Sequence, residues 1–198
     1  MPFLKYIIYL FLWPAMAVAQ VQEFTIDASS SVFSFQVEHF GVATVNGSFS
    51  SASGTIQFDA QHPDSMRASL FVDVESIDTN NSLRDKELRS EDFLDVKRYP
   101  RVSFTSSGIV LAASSAGPNV LGNQRKRVQG QMTMYGQTRE MEIPFLIRHN
   151  PNSDLLVIDA EFVLSRKDFG IKFGFLMDSL VGDEIRVTVS AVGKLTPP

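Results

Sequence analysis

"SVFSFQVEHFG", residues 31–41, puts Phe33, Phe35, Val37 and His39 on one side of an extended chain and Val32, Ser34, Gln36 and Glu38 on the other. Side chains of a strand point alternately to its two faces, so this spacing predicts a strand with one apolar and one wet face. The same beat of two returns in "TIQFD" (Ile56, Phe58), "RASLFVDVESI" (Ala68, Leu70, Val72, Val74) and "RVSFTSS" (Val102, Phe104). Further on it runs through "KRVQGQMTMYG" (Val128, Met132, Met134), "REMEIPFLIRH" (Met141, Ile143, Phe145, Ile147), "DLLVIDAEFVL" (Leu156, Ile158, Ala160, Phe162, Leu164) and "EIRVTVSAVGKL" (Ile185, Val187, Val189, Ala191, Leu195). Turn signals separate these runs: Asn46-Gly47, Ser53-Gly54, "AQHPDS", "AASSAGPN", Tyr135-Gly136 and "RHNPNSD". About eight short strands with polar connections predict an antiparallel barrel or sandwich and exclude an alternating helix–strand fold. If the sheet closes as a barrel of eight, its interior is wide enough for one elongated apolar ligand.

The chain begins "MPFLKYIIYLFLWPAMAVA", with one cation (Lys5), an apolar run from Tyr6 to Trp13 and the small-residue ending Ala17-Val18-Ala19. That order predicts a secretory leader over residues 1–19 with cleavage before Gln20, leaving one domain over 20–198. The apolar run is shorter than the roughly 20 residues that a bilayer span needs. Removing the leader takes one of 18 basic residues and leaves 17 against 22 acidic, a net charge of −5. A mildly acidic secreted domain is a poor partner for nucleic acid or an anionic membrane surface. With no cysteine, neither a disulfide framework nor thiol chemistry is available, so stability must come from a core. Fourteen of the 16 phenylalanines follow the leader, to fill a sandwich core or to line a tunnel.

Two stretches break the alternation. "SRKDFGIKFGFLMDSLVGDE", residues 165–184, sets Phe169, Ile171, Phe173, Phe175 and Met177 around glycines and reads as an irregular connection or flap over one end of the barrel. "SLRDKELRSEDFLDVKR", residues 82–98, carries five cations (Arg84, Lys86, Arg89, Lys97, Arg98) and five anions (Asp85, Glu87, Glu91, Asp92, Asp95), which cancel. Good helix formers, an Asn/Ser cap and Leu83, Leu88 and Phe93 near the helical period predict a short helix here.

A catalytic use of these charges would need paired carboxylates as acid and base. The supporting parts are missing: His39, His62 and His149 are widely spread, there is no Gly-x-Ser-x-Gly elbow and no His-x-x-x-His pair, and the carboxylates lack calcium-loop spacing. We therefore expect no catalytic residue, no metal and no cofactor. The structural alternative is a helix and turn closing one barrel end, with charges paired on a solvated face, Leu83, Leu88, Phe93 and Val96 pointing in, and Ser76, Asp78 and Thr79 bonding local backbone. His39 should point inward, whereas His62 and His149 should face solvent.

The segment "SIDTNNSLRDKELRSEDFLDVKRYPRVSF" closely resembles the signature of the YceI-like family of secreted proteins. Weaker matches follow in order: "FTID" at 24–27, His39 and Gly41, Gly47 and Phe49, "GQMTMYGQT" at 130–138, "SRKDFGI" and "VGDEIRV". Together they span about residues 23–195. The chain departs from the pattern at Glu87, where the family usually has histidine, and at Leu94, where a second aromatic is frequent.

The resemblance implies a single antiparallel, eight-stranded, lipocalin-like barrel with a short helix or lid segment. It also implies a periplasmic protein holding an isoprenoid-type lipid, such as a polyprenyl phosphate or quinone tail, with fatty-acid derivatives as related ligands. By strand phase and aromatic content the lipid-contacting residues are then Phe33, Phe35, Val37, His39, Phe49, Leu70, Val72, Met132, Met134, Phe145, Ile147, Phe173 and Phe175. Two other classes stay open: a filled β-sandwich serving a membrane redox protein as partner, and an enzyme acting on a small amphiphile. A homodimer is compatible with each.

Overall fold

The computed structural model describes residues 21–39, 41, 43–111, 126–150, 152–174 and 178–197. The leader over 1–19, the stretch "AASSAGPN" and Phe175 lie outside them. Among the described residues eleven strands form one antiparallel sheet that closes on itself. They are β1 (Gln22–Ile26), β2 (Val32–His39), β3 (Ala43–Phe49), β4 (Ala52–Phe58), β5 (Arg67–Asp73), β6 (Ile77–Asp78), β7 (Arg101–Leu111), β8 (Lys126–Met134), β9 (Gln137–His149), β10 (Leu155–Ser165) and β11 (Val181–Leu195). Among the described residues one α-helix, α1 (Ser82–Leu88), stands between β6 and β7.

Eleven elements make eight staves, because the first three staves are each broken once. β1 and β2 lie end to end along β11, β4 and β3 run back beside them, and β5 is followed by β6, which pairs with β3. From β7 to β11 each strand is continuous and pairs with the next one along the chain. Closure is made by β11, which bonds β10 along Glu184–Lys194, β2 through Val181–Ser190, and β1 through Gly193–Leu195. This is the eight-stranded barrel that the alternation and the family resemblance lead one to expect.

Each break in a stave strands ladder groups, and short polar side chains take them up. At Asp27 the carboxylate accepts from Ser29 N, Ser29 Oγ and Ser30 Oγ at 3.1, 2.6 and 2.8 Å. It also meets Lys194 Nζ of β11 at 2.6 Å. Ser31 Oγ donates to Asp27 O at 2.7 Å and accepts from Val192 N at 2.9 Å, so the gap between β1 and β2 stays bonded to β11. At the second such break Asp73 Oδ1 accepts from Glu75 N, and Ser76 Oγ donates to Asp73 O while accepting from Ser51 N.

Two turn expectations fail for an instructive reason. Asn46-Gly47 and Ser53-Gly54 lie inside β3 and β4. Gly47 sits opposite Phe35, and a side chain there would collide with the tip of the Phe35 ring. The glycine thus serves packing and no turn. By contrast Tyr135 and Gly136, with φ of 51° and 72°, form the expected tight hairpin between β8 and β9.

One end of the barrel is solid. Phe24, Ile56 and Leu156 are fully buried, with Ile26 and Phe58 packed in the same cluster. His149 is not solvent-facing as expected. It comes from the inward face of β9 at this end, and its ring meets Phe24 and Phe58 edge-on at 5.9 and 5.2 Å. His62 is exposed, and its Nδ1 lies 2.9 Å from the buried Asp59 carboxylate.

Lys194 and the two serine hydroxyls hold the Asp27 carboxyl well below the usual carboxylate range. A depressed folded-state pKa means that the stabilisation is present above the unfolded carboxyl's ordinary value and is lost as pH falls through the folded one. Asp27→Asn should therefore lower the urea midpoint at neutral pH, and the gap from wild type should shrink as the solution is acidified below the carboxylate range. A gap independent of pH would show that the ion pair to β11 does not tie the break together.

A candidate ligand calyx

Above the solid end the inward faces of all eight staves enclose a cavity of about 620 Å³. Phe33, Phe35, Val37 and His39 of β2, Phe49 of β3, Leu70 and Val72 of β5, Met132 and Met134 of β8, Phe145 of β9, and Phe173 line it. Ile147 does not. β9 runs toward the solid end, so Ile147, two residues past Phe145, packs against the core cluster beneath the cavity. The strand phase was also sufficient to find Phe104, Phe162, Ile185, Val187 and Val189, which complete the apolar wall.

Besides Ser34 and His39 of β2 and Ser103 of β7, the polar parts of the wall come from outside the strands. Asn81, Leu83, Arg84, Glu87 and Leu88 line the cavity at the mouth, so one side of α1 forms part of the rim. Leu83 is an inward anchor only in part: it borders the cavity yet is 81% exposed. The Asn81 side chain caps the helix by accepting from Arg84 N at 3.1 Å.

The charged segment is organised differently from the expectation of mutual pairs on a wet face. Asp85 is buried and accepts from Thr79 N at 2.9 Å and Thr79 Oγ1 at 2.5 Å. Arg84 Nε donates to Thr79 Oγ1 and Nη2 to Thr79 O, at 2.8 and 2.7 Å. Arg89 Nε donates to Glu75 O and Nη2 to Ile77 O, at 2.8 and 2.6 Å. Among the described residues no two of the ten charges pair with each other. Three of them, Arg84, Asp85 and Arg89, sew α1 to the backbone leaving β5 and β6, because strand ends there leave amides and carbonyls that need partners.

Across the mouth, Arg166 is 1% exposed although it follows directly on β10. All five of its N–H groups are engaged: Nε to Gly182 O, Nη1 to Ile171 O and Asp178 Oδ1, and Nη2 to Asp178 O and Val181 O. Its guanidinium also lies 4.7 Å from the centre of the Phe173 ring, and Phe173 meets Phe93 at 4.8 Å, which joins the two sides of the rim. Arg166, aided by the Phe173 N–H, draws the Asp178 carboxyl below its usual range. A lone arginine after a strand gave no sign of this role, since its partners are carbonyls set by the tertiary path. Among the described residues no group of three or more His, Asp or Glu is placed to hold a metal ion.

A closed antiparallel barrel, filled at one end and hollow with an apolar wall at the other, is a small-ligand calyx. The chain belongs to the YceI-like family, whose domain model matches residues 24–193. It is 33% identical to protein YceI of Escherichia coli O157:H7 over 160 residues, covering 79% of this chain and 78% of that one. A UPF0312 protein of Pseudomonas savastanoi is 30% identical over 142 residues, 70% of this chain and 69% of its own. Among solved structures, BcnA of Burkholderia cenocepacia superposes with a TM-score of 0.72 at 23% identity, over 84% of this chain and 98% of its own. A polyisoprenoid binding domain from Saccharophagus degradans, implicated in plant cell wall breakdown, gives 0.68 at 16% identity, over 89% and 100%. These structural likenesses establish the shared barrel.

Arg166→Met should cost on the order of 3 kcal/mol in chemical denaturation, because it strips donors from four carbonyls and a carboxylate at once. A variant as stable as wild type would show that this network does not hold the residues after β10 in place.

Proposed function

We propose that this protein is a carrier or scavenger that holds an isoprenoid-type lipid inside its barrel and performs no covalent chemistry on it. The observation that carries the proposal is the cavity of about 620 Å³ with a nearly continuous wall of aliphatic and aromatic side chains. Membership of a family that has a polyisoprenoid binding domain among its structural likenesses supports the same ligand class. The thirteen residues singled out by strand phase, less Ile147, are proposed to contact the chain of the lipid. The leader over residues 1–19 and the family together support a periplasmic location after cleavage before Gln20.

Apolar burial alone supplies enough affinity. At about 0.8 kcal/mol per buried CH₂, each isoprene unit contributes up to ~4 kcal/mol before chain ordering is subtracted. A few units approach the practical limit of roughly 18 to 21 kcal/mol, so most of the gross gain is offset by ordering, and no dedicated polar site is required. A filled sandwich acting only as partner to a membrane redox protein is disfavoured by the hollow interior. The enzyme alternative is disfavoured by Arg84, Asp85 and Arg89, which are occupied in holding α1 to the neighbouring strand ends.

Phe35→Asp, which places a carboxylate in the wall, should abolish co-purification of extractable lipid while leaving the far-UV spectrum of the barrel intact. Full lipid occupancy in the folded variant would refute the cavity as the binding site.

A further inference from the structure

Six large apolar side chains are exposed among the described residues: Val21, Val32, Leu83, Val110, Leu155 and Val163. Five of them are 37–58% exposed and border no part of the cavity. Leu83 is 81% exposed and does border it, from the first turn of α1. A single apolar residue on a protein surface is ordinary, but this one stands where a lipid has to enter. We infer that Leu83 and the lip around it dock onto a bilayer surface while lipid passes between membrane and calyx, an inference that rests on the carrier function proposed above.

The lip is continuous with the wall. Leu88, Phe93, Leu94 and Phe173, all half-buried, line the cavity with Leu83. A lipid that crossed open water would expose its whole chain, and the cost would grow with every methylene. A lip seated among the headgroups removes that crossing, because the chain leaves the bilayer and meets apolar side chains with no water layer between. Leucine suits the contact, since burial at the acyl boundary takes out of water the surface that the folded protein leaves exposed.

The tethers of α1 hold Leu83 in this position. Arg84 and Asp85, the two residues after it, are both bonded to Thr79, which fixes the helix with Leu83 turned outward. Lys86 and Glu87, three and four residues on, share the exposed face and have opposite signs. With 17 basic against 22 acidic residues in the mature chain, the attraction to the bilayer is apolar and does not depend on anionic headgroups. Among the described residues no helix is long and apolar enough to cross a membrane, so the contact is one of docking at the surface.

Transfer of ubiquinone and of undecaprenyl phosphate from phosphatidylcholine vesicles to the mature protein would be timed for wild type, Leu83→Gln, Leu83→Phe and Val163→Gln. Docking lowers the barrier to entry and exit alike, so it changes the rate and leaves the partition of lipid between protein and vesicle where it was. The wild-type rate should rise with vesicle concentration and change little with added salt. Leu83→Gln should transfer about tenfold more slowly, the lower end of what burying one leucine is worth, with a partition within about twofold of wild type. Leu83→Phe should keep the wild-type rate, and so should Val163→Gln, which alters an exposed residue away from the cavity. A Leu83→Gln protein as fast as wild type would overturn the docking, as would a wild-type rate independent of vesicle concentration, which marks passage through water. A partition that falls as far as the rate would overturn it too, by showing Leu83 to be a contact of the held lipid and not of the bilayer. Should neither lipid reach the wild-type protein from vesicles or from detergent, the carrier function itself fails and this inference with it.

Discussion

Strand β11 bonds to β10, β2 and β1, and the closure it makes is the constraint on which the rest of the molecule depends. Once the sheet closes on itself, every strand has an inside and an outside, and the two-residue alternation sorts side chains between them with no further choice. The three broken staves follow from the same requirement. A long strand that curves around a barrel must bend, and Asp27, Ser31, Asp73 and Ser76 supply oxygens and hydroxyls where the ladder lapses.

Closure also explains how a barrel can be filled and hollow at once. Large residues from β1, β4 and β10 converge at one end, where Phe24, Ile56 and Leu156 meet and exclude water. Toward the mouth the wall is equally apolar, but there the described aromatic residues line a cavity instead of filling it. Gly47 shows the device on a small scale: its missing side chain leaves room for the tip of the Phe35 ring. An apolar wall around an unfilled interior stores the driving force for binding, because any ligand that covers it removes that surface from water.

The charged helix and the buried Arg166 use their charge in the same way, on backbone. Arg84, Asp85 and Arg89 tie α1 to the exits of β5 and β6, and Arg166 gathers the carbonyls of the residues that cross the opposite side of the mouth. Charges spent on carbonyls and amides give the rim a fixed shape.

Much of this was legible beforehand. Alternation named β2, β4, β5 and β7 to β11 and nine of the wall residues, because burial on one face of a sheet imposes period two on the chain itself. β1 and β3 were harder to see: one is five residues long and the other contains Asn46-Gly47, a local turn signal overridden by the packing of Phe35. The position of Ile147 below the cavity, the turning-in of His149 and the five-fold engagement of Arg166 had no counterpart in the pattern. Sequence by itself determined the strands, their inner faces and the sealing of the chain without cysteine, since those depend on each residue's neighbours two places away. Only the tertiary structure decided where the barrel is solid and where it is hollow, because depth along the axis depends on how far each stave is staggered against the next, and that stagger is a property of the closed sheet.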